Sequence, residues 1–284
     1  MTPQSDLQDN DVRSIRAYLG GFDLFTDNPQ EGAEYLDSAF RRCMITLEMI
    51  PPAASSASTL LELGANPYFL TLLLQRFRRY QLTLSNFFGD GHIPAGKGVQ
   101  KLSNPHYHEE YEFSYDHFNL ERDPFPYPSD TFNLVLFCEI LEHLLMNPTH
   151  ALAEIHRVLK PDGLLLITTP NVLACQNVLK LAIGRNIYDR YSPHGIYGRH
   201  NREYTPLEVT RLLQSCGFDI AAVRLKTLYP HAHRLVRLLQ RVRKTWRDHL
   251  FILARNSASP CSTYPSFLYH DSERDFQGAN RKKR

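Results

Sequence analysis

What this chain has little of narrows the reading first. No apolar run in its 284 residues reaches the roughly 20 needed to span a bilayer as a helix. The polar, acidic start "MTPQSDLQDNDVRSI" has no signal-peptide core. Cysteine is scarce and never in CxxC pairs: Cys43, Cys138, Cys175, Cys216 and Cys261 read as reduced, mostly buried thiols of a cytoplasmic protein. Charge of one sign is missing as well. The formal charge of +2 is too near neutral to imply a nucleic-acid partner. "DGHIPAGKG" lacks the spacing of a phosphate loop. What is present is 43% apolar residues, enough for a sizeable core in one α/β domain with additions, or in two small domains.

Periodicity divides the chain. Residues 1–58 read as a helical extension: "DVRSIRAYLGGF", then "PQEGAEYLDSAFRRCMITLEMI", stopped by Pro51 and Pro52. Residues 59–256 alternate strands and helices. The expected strands are "TLLELG", "QLTLSNFF", "YEFSYDHFNLE", "FNLVLF", "LLLITT", "FDIAAVRL" and "LFILARN". Residues 89–110, rich in Gly, Pro and His, read as a long loop. Pro67 is expected in the first turn of the helix after the first strand. "ILEHLLMNPTHALAEIHRVLK" reads as helical, broken near Asn147 and Pro148. "TPLEV" is a capping box, Thr205 with Glu208, and its helix stops at Gly217. Strands alternating with helices argue for a mostly parallel sheet. Residues 257–284 read as a disordered tail.

Four segments carry a resemblance: "LLELGANPYFLTLLL", "FNLERDPFPYPSDTFNLVLFCEILEHL", "ALAEIHRVLKPDGLLLITTPN" and "REYTPLEVTRLLQSCGF". Together they resemble the class I S-adenosylmethionine-dependent methyltransferases of the small-molecule type. The resemblance implies a Rossmann-like α/β fold with a seven-stranded, mostly parallel sheet and helices on both faces. It implies S-adenosylmethionine as cofactor. Glu62 and Gly64, with Asn66 beside them, would meet its methionine and ribose part. Asn86 stands where the family places an acidic residue on the ribose diol, and an amide binds a diol less tightly than a carboxylate does. Asn119 and Leu120 would contact adenine, and Cys138 and Glu139 would lie beside the donated methyl. The turn departs from the family's glycine-rich pattern, since only Gly64 is kept.

The residues most suited to chemistry are Glu139, Glu142 and His143 in "CEILEH". On a helix, spacings of three and four put them on one face. Such a trio can hold a divalent cation such as magnesium, as in the metal-dependent branches that "E-x-x-E-H" resembles. Two other readings stay open: His143 as general base with Glu142, or His143 satisfying a helix end. "RNIYDRYSPHGIYGRHNREY" reads as a lid over the site, with His194, Tyr197, Arg199, His200 and Arg202 facing a polar or anionic acceptor. "HAHRLVRLLQRVRKTWRDH" reads as a basic amphipathic helix covering the sheet, with a membrane surface as the lesser alternative. The pairs His106/His108 and His231/His233 are too isolated to read as metal sites.

The expected function is methyl transfer from S-adenosylmethionine to oxygen of a polar small molecule: a sugar, a glycan precursor or a natural product. The rivals are a degenerate scaffold and a metal-dependent RNA methyltransferase. The sequence leaves the oligomeric state open.

Overall fold

The computed structural model describes residues 12–24, 29–89, 96–192, 195–228, 234–256 and 264–270. The chain divides after Phe118 into two compact units. Among the described residues, no helix is long and apolar enough to cross a membrane.

In the first unit, helices α1 (Val12–Gly20) and α2 (Pro29–Met49) precede β1 (Thr59–Leu63), α3 (Phe69–Phe77), β2 (Gln81–Asn86), β3 (Gly96–Asn104) and β4 (Glu109–His117). The strands lie in the order β3-β4-β2-β1. β1 runs parallel to β2 and β2 to β4, while β3 is antiparallel on the outside. Leu60, Leu61 and Leu63 are fully buried on both faces of β1, as expected of a strand covered on each side. β3 arises from residues read in the sequence as loop. Its polar, Gly-bearing stretch pairs residue for residue with β4, from Gly96 opposite His117 to Asn104 opposite Glu109. Gly98 faces Tyr115, whose ring lies where a Cβ would stand, so the glycine admits the aromatic ring rather than breaking the strand.

In the second unit, β5 (Phe132–Cys138) leads into a 3₁₀ turn, Leu141–His143. Then follow α4 (Pro148–Val158), β6 (Leu159–Pro170), α5 (Cys175–Ala182), a second 3₁₀ turn Ile196–Gly198, α6 (Pro206–Ser215), β7 (Phe218–Lys226), α7 (Arg234–Val242) and β8 (His249–Asn256). The order is β5-β6-β8-β7, with β5 parallel to β6 and β8 antiparallel to both neighbours. All seven strands read from the sequence are present, and β3 is the eighth.

Three local expectations change. Pro67 is not in the first turn of α3: it follows a cis Asn66–Pro67 bond, Tyr68 takes φ 68°, and the helix begins at Phe69. The helix expected ahead of Asn147 is only the three-residue 3₁₀ turn, and α4 starts at Pro148 with Asn147 accepting from the His150 amide. Part of the expected tail is packed, since the Tyr269 hydroxyl donates to Oδ1 of Asn147 at 3.1 Å. The capping box of α6 forms as read, and Gly217 ends that helix at φ 88°.

Arg78 closes the first unit's helical layer. It is buried, and it donates to the carbonyls of Leu47 (2.6 Å) and Ile50 (3.0 Å) at the end of α2 and to that of Phe77 (3.1 Å). Carbonyls at a helix end lack the full set of intrahelical partners; that of Leu47 also accepts from the Ile50 amide at 3.2 Å, and the guanidinium caps them. Replacing Arg78 by Ala is expected to destabilise the fold by about 2–4 kcal/mol, because it strands buried acceptors. Replacing the cap Thr205 by Ala is expected to cost only about 1 kcal/mol. Thermal melts of the two variants, followed by circular dichroism, check that ranking.

Candidate active site

The first unit contributes the turn after β1. Gly64 takes φ 66°, and its amide and that of Ala65 both donate to the Ser85 carbonyl, at 2.9 and 3.1 Å. Asn86 is buried at the end of β2. Its Oδ1 accepts from the Asn66 amide at 2.8 Å, and its Nδ2 donates to the Tyr68 hydroxyl at 2.8 Å. The residue expected at the ribose diol therefore uses each end of its amide to fix the turn. Glu62 is buried on β1 and accepts from the Thr71 hydroxyl at 2.7 Å. Burial pushes its carboxyl up to about 8, against the pull of that hydrogen bond.

The second unit gathers the chemistry at the carboxyl ends of β5 and β6. Glu139 directly follows β5 at φ 57°, and its amide donates to the Thr168 carbonyl. Thr168 and Thr169 are consecutive on β6, so their side chains point to opposite faces of the strand layer. The Thr168 hydroxyl donates to Glu139 at 2.7 Å, and Nε2 of His249 meets the same carboxylate oxygen at 2.6 Å. The Thr169 hydroxyl donates to Oε2 of Glu142 at 2.9 Å. The single helix face expected for Glu139, Glu142 and His143 does not exist. The chain is a 3₁₀ turn there, and neighbouring threonines bind the two carboxylates from opposite faces. His249 takes up Glu139 instead. It lies opposite Pro170 in the β6–β8 ladder, on the face of Thr168.

The cluster that does form is Glu142, His143 and His200, with one potential ligand atom from each lying within 4.8 Å of the others. Glu142 is fully buried, and among the described residues its Oε1 has no hydrogen-bond partner. Burial, and after it the charge of Glu139, pushes the carboxyl up to about 8. The His143 and His200 rings meet edge to face at 5.1 Å. Nδ1 of His143 donates to the Arg199 carbonyl at 2.9 Å, so a neutral ring carries its lone pair on Nε2. Burial, helped by His200, lowers the basicity of His143. Burial also acts to lower that of His200, but the bond to Glu203 at 3.0 Å and the charges of Glu142 and Asp189 outweigh it and raise the value. Two adjacent imidazoles are thus driven apart, His143 toward neutral and His200 toward the cation.

The segment read as a lid packs on this cluster. Amides of Asn201 and Arg202 donate to the Glu142 carbonyl, and Nδ2 of Asn201 donates to that of His143. Asn119, buried, donates from Nδ2 to the Tyr197 hydroxyl at 3.1 Å, with Leu120 buried beside it in sequence. Cys138, at the end of β5, is half-buried. A cavity of about 590 Å³ is lined by Tyr188, Asp189, His200, Arg202, Glu203 and Glu208, among others. Arg202 is paired to Glu208 at 3.0 Å, and Arg199 lies over the Tyr191 ring at 4.6 Å. With carboxylates prevailing, this lining suits hydroxyl groups better than the anionic acceptor also considered from sequence. His194, His231 and His233 lie outside the described residues. His249 was missed because no local motif surrounds it; only the β6–β8 register brings it in.

Glu62 and Glu142 set a pH dependence. Between about 4.5 and 8 each holds in the folded state a proton that the unfolded chain has released. Stability is therefore expected to fall as pH rises through that window, by up to about 1.4 kcal/mol per pH unit for each group. Glu142→Gln should flatten its share of the slope in denaturant titrations run at several pH values.

The comparisons with known proteins agree with this architecture. A family model described as a methyltransferase domain matches residues 35–223. A curated relative from Mycolicibacterium smegmatis, described as a probable S-adenosylmethionine-dependent methyltransferase, is 30% identical over 95 residues, 34% of this chain and 32% of its own length. The match thus spans about a third of that relative. A solved chain from the Haloferax volcanii complex of the Trm112 methyltransferase activator with a candidate methyltransferase shares the fold at a TM-score of 0.53 and 13% identity, over 86% of this chain and 97% of its own. With the family model covering well over half its length, this α/β chain belongs to the methyltransferase domain family.

Proposed function

We propose that the chain transfers the methyl group of S-adenosylmethionine to a hydroxyl oxygen of a polar small molecule, such as a sugar or glycan precursor. On this reading Glu62, Gly64, Asn66 and Asn86 contact the cofactor's methionine and ribose part. Asn119 and Leu120 contact adenine, and Cys138 and Glu139 lie at the sulfonium end. His143 takes the proton of the acceptor hydroxyl on Nε2 as the oxygen attacks the methyl carbon. The sulfonium then leaves as the neutral thioether. Little else is asked of the protein beyond alignment and exclusion of water. The observation that carries the reading is the opposed pair: the half-buried His143 ring, with Nδ1 bonded to the Arg199 carbonyl and its basicity lowered, meets at 5.1 Å the ring of His200, whose basicity is raised and which lines the polar cavity.

The first test is calorimetric titration with S-adenosylmethionine and S-adenosylhomocysteine. Micromolar binding supports the reading, and no binding up to millimolar favours the degenerate scaffold. Glu62 adds a signature. If it meets the cofactor's ammonium, binding must expel the proton that burial keeps on it below about 8. Proton release at pH 7, read from buffers of different ionisation enthalpy, is therefore expected. It should vanish in Glu62→Gln.

Once an acceptor is found by screening, His143→Ala is expected to lower kcat roughly a hundredfold or more with cofactor affinity unchanged. A second reading rests on the unpartnered Oε1 of Glu142 and the closeness of the ligand atoms: a divalent cation held by Glu142, His143 and His200. Two imidazoles and one carboxylate suit manganese or iron better than magnesium. Activity that survives exhaustive chelation would remove this reading and leave the metal-free base.

A further inference from the structure

We propose that α5 and α7 form a docking face for an anionic lipid bilayer. The two helices pack against each other in the second unit. α7 does not bury its apolar stripe, as a helix that merely covers a sheet would: Leu238 is 57% exposed and Val242 82%. Four residues apart, they form one ridge. Gln240, roughly on the opposite side, is buried and donates to Oδ1 of Asp248 at 2.8 Å, which fixes the ridge outward. On the α5 side, Leu181 is 55% exposed and Ile183, just past the helix, 66%. Single exposed apolar residues are ordinary, but three large ones on two packed helices, with a fourth just past the end of one, are not.

The charge around the ridge is of one sign. Arg234, Arg237 and Arg241 flank it on α7, all exposed, and Arg243 and Lys244 follow. Lys180 and Arg185 stand exposed on the α5 side. Neither 175–185 nor 234–247 contains an acidic residue, although the whole chain is only +2. A second copy of this face would set these seven cations against their own kind. A nucleic acid would use the cations and leave the ridge in water. An anionic bilayer takes both, with headgroups on the arginines and the ridge among the acyl chains. Ile187, Tyr188 and Asp189, which line the polar cavity, follow Arg185 in sequence. Docking would then present that cavity to a membrane-held acceptor with a polar head. This last step rests on the methyltransferase reading; docking does not.

Sedimentation of the full chain with vesicles, without cofactor, tests the proposal. Binding is expected to phosphatidylcholine vesicles containing phosphatidylglycerol and not to phosphatidylcholine alone, and to weaken with salt. The triple change Arg234→Gln, Arg237→Gln, Arg241→Gln is expected to lower partitioning roughly a hundredfold, and Leu238→Ser with Val242→Ser roughly tenfold. Melting temperatures should be unchanged, since all five side chains lie outside the core. Three results overturn the proposal: equal partitioning to both vesicles, a serine variant that binds as well as the parent, or a dimer in light scattering that the serine variant dissociates. Preferential binding of single-stranded RNA, insensitive to the serine changes, also overturns it. Failure to bind S-adenosylmethionine sinks the methyltransferase reading while vesicle binding still stands, so the two are told apart.

Discussion

Consecutive side chains on a β-strand point to opposite faces, and at Thr168 and Thr169 that alternation organises the second unit's site. One hydroxyl takes Glu139 and the other Glu142. Carboxylates spaced to work together on a helix are parted by the strand beside them. Glu139 falls to His249, and Glu142 to the two histidines of the turn and the lid.

Burial then sets the electrostatics. A carboxylate removed from water must be bonded, paired or protonated. Among the described residues Glu142 is bonded at one side-chain oxygen only, and desolvation, with the charge of Glu139 after it, raises its carboxyl. Glu62, in the first unit, is raised in the same way, against the pull of its bond from the Thr71 hydroxyl. Such carboxyls weaken the fold as pH rises. Their retention makes most sense where a ligand's positive charge or donor restores the bond.

The lid is not a flap over an otherwise finished site. Asn201 and Arg202 donate to the Glu142 carbonyl, Arg199 accepts from His143, and His200 completes the cluster. Its carboxylates Glu203 and Asp189 raise the basicity of His200, while burial lowers that of His143. On the proposed reading, acceptor recognition and proton handling would come from the same loop.

The sequence by itself determined what depends on short-range order. Seven strands, the capping box at Thr205 and the stop at Gly217 all rest on neighbours within a few residues. The cis Asn66–Pro67 turn, pinned by Asn86, was visible only as an odd departure from a glycine pattern. Tertiary structure alone decided the rest. β3 is polar and becomes a strand because β4 offers it a full ladder, with Gly98 making room for Tyr115. The Glu139–His249 pair joins residues far apart in the chain through strand register, which no local pattern encodes. The stripe on α7 reads in sequence as a buried face. Whether it is covered depends on what lies against it, and among the described residues Leu238 and Val242 stay largely exposed.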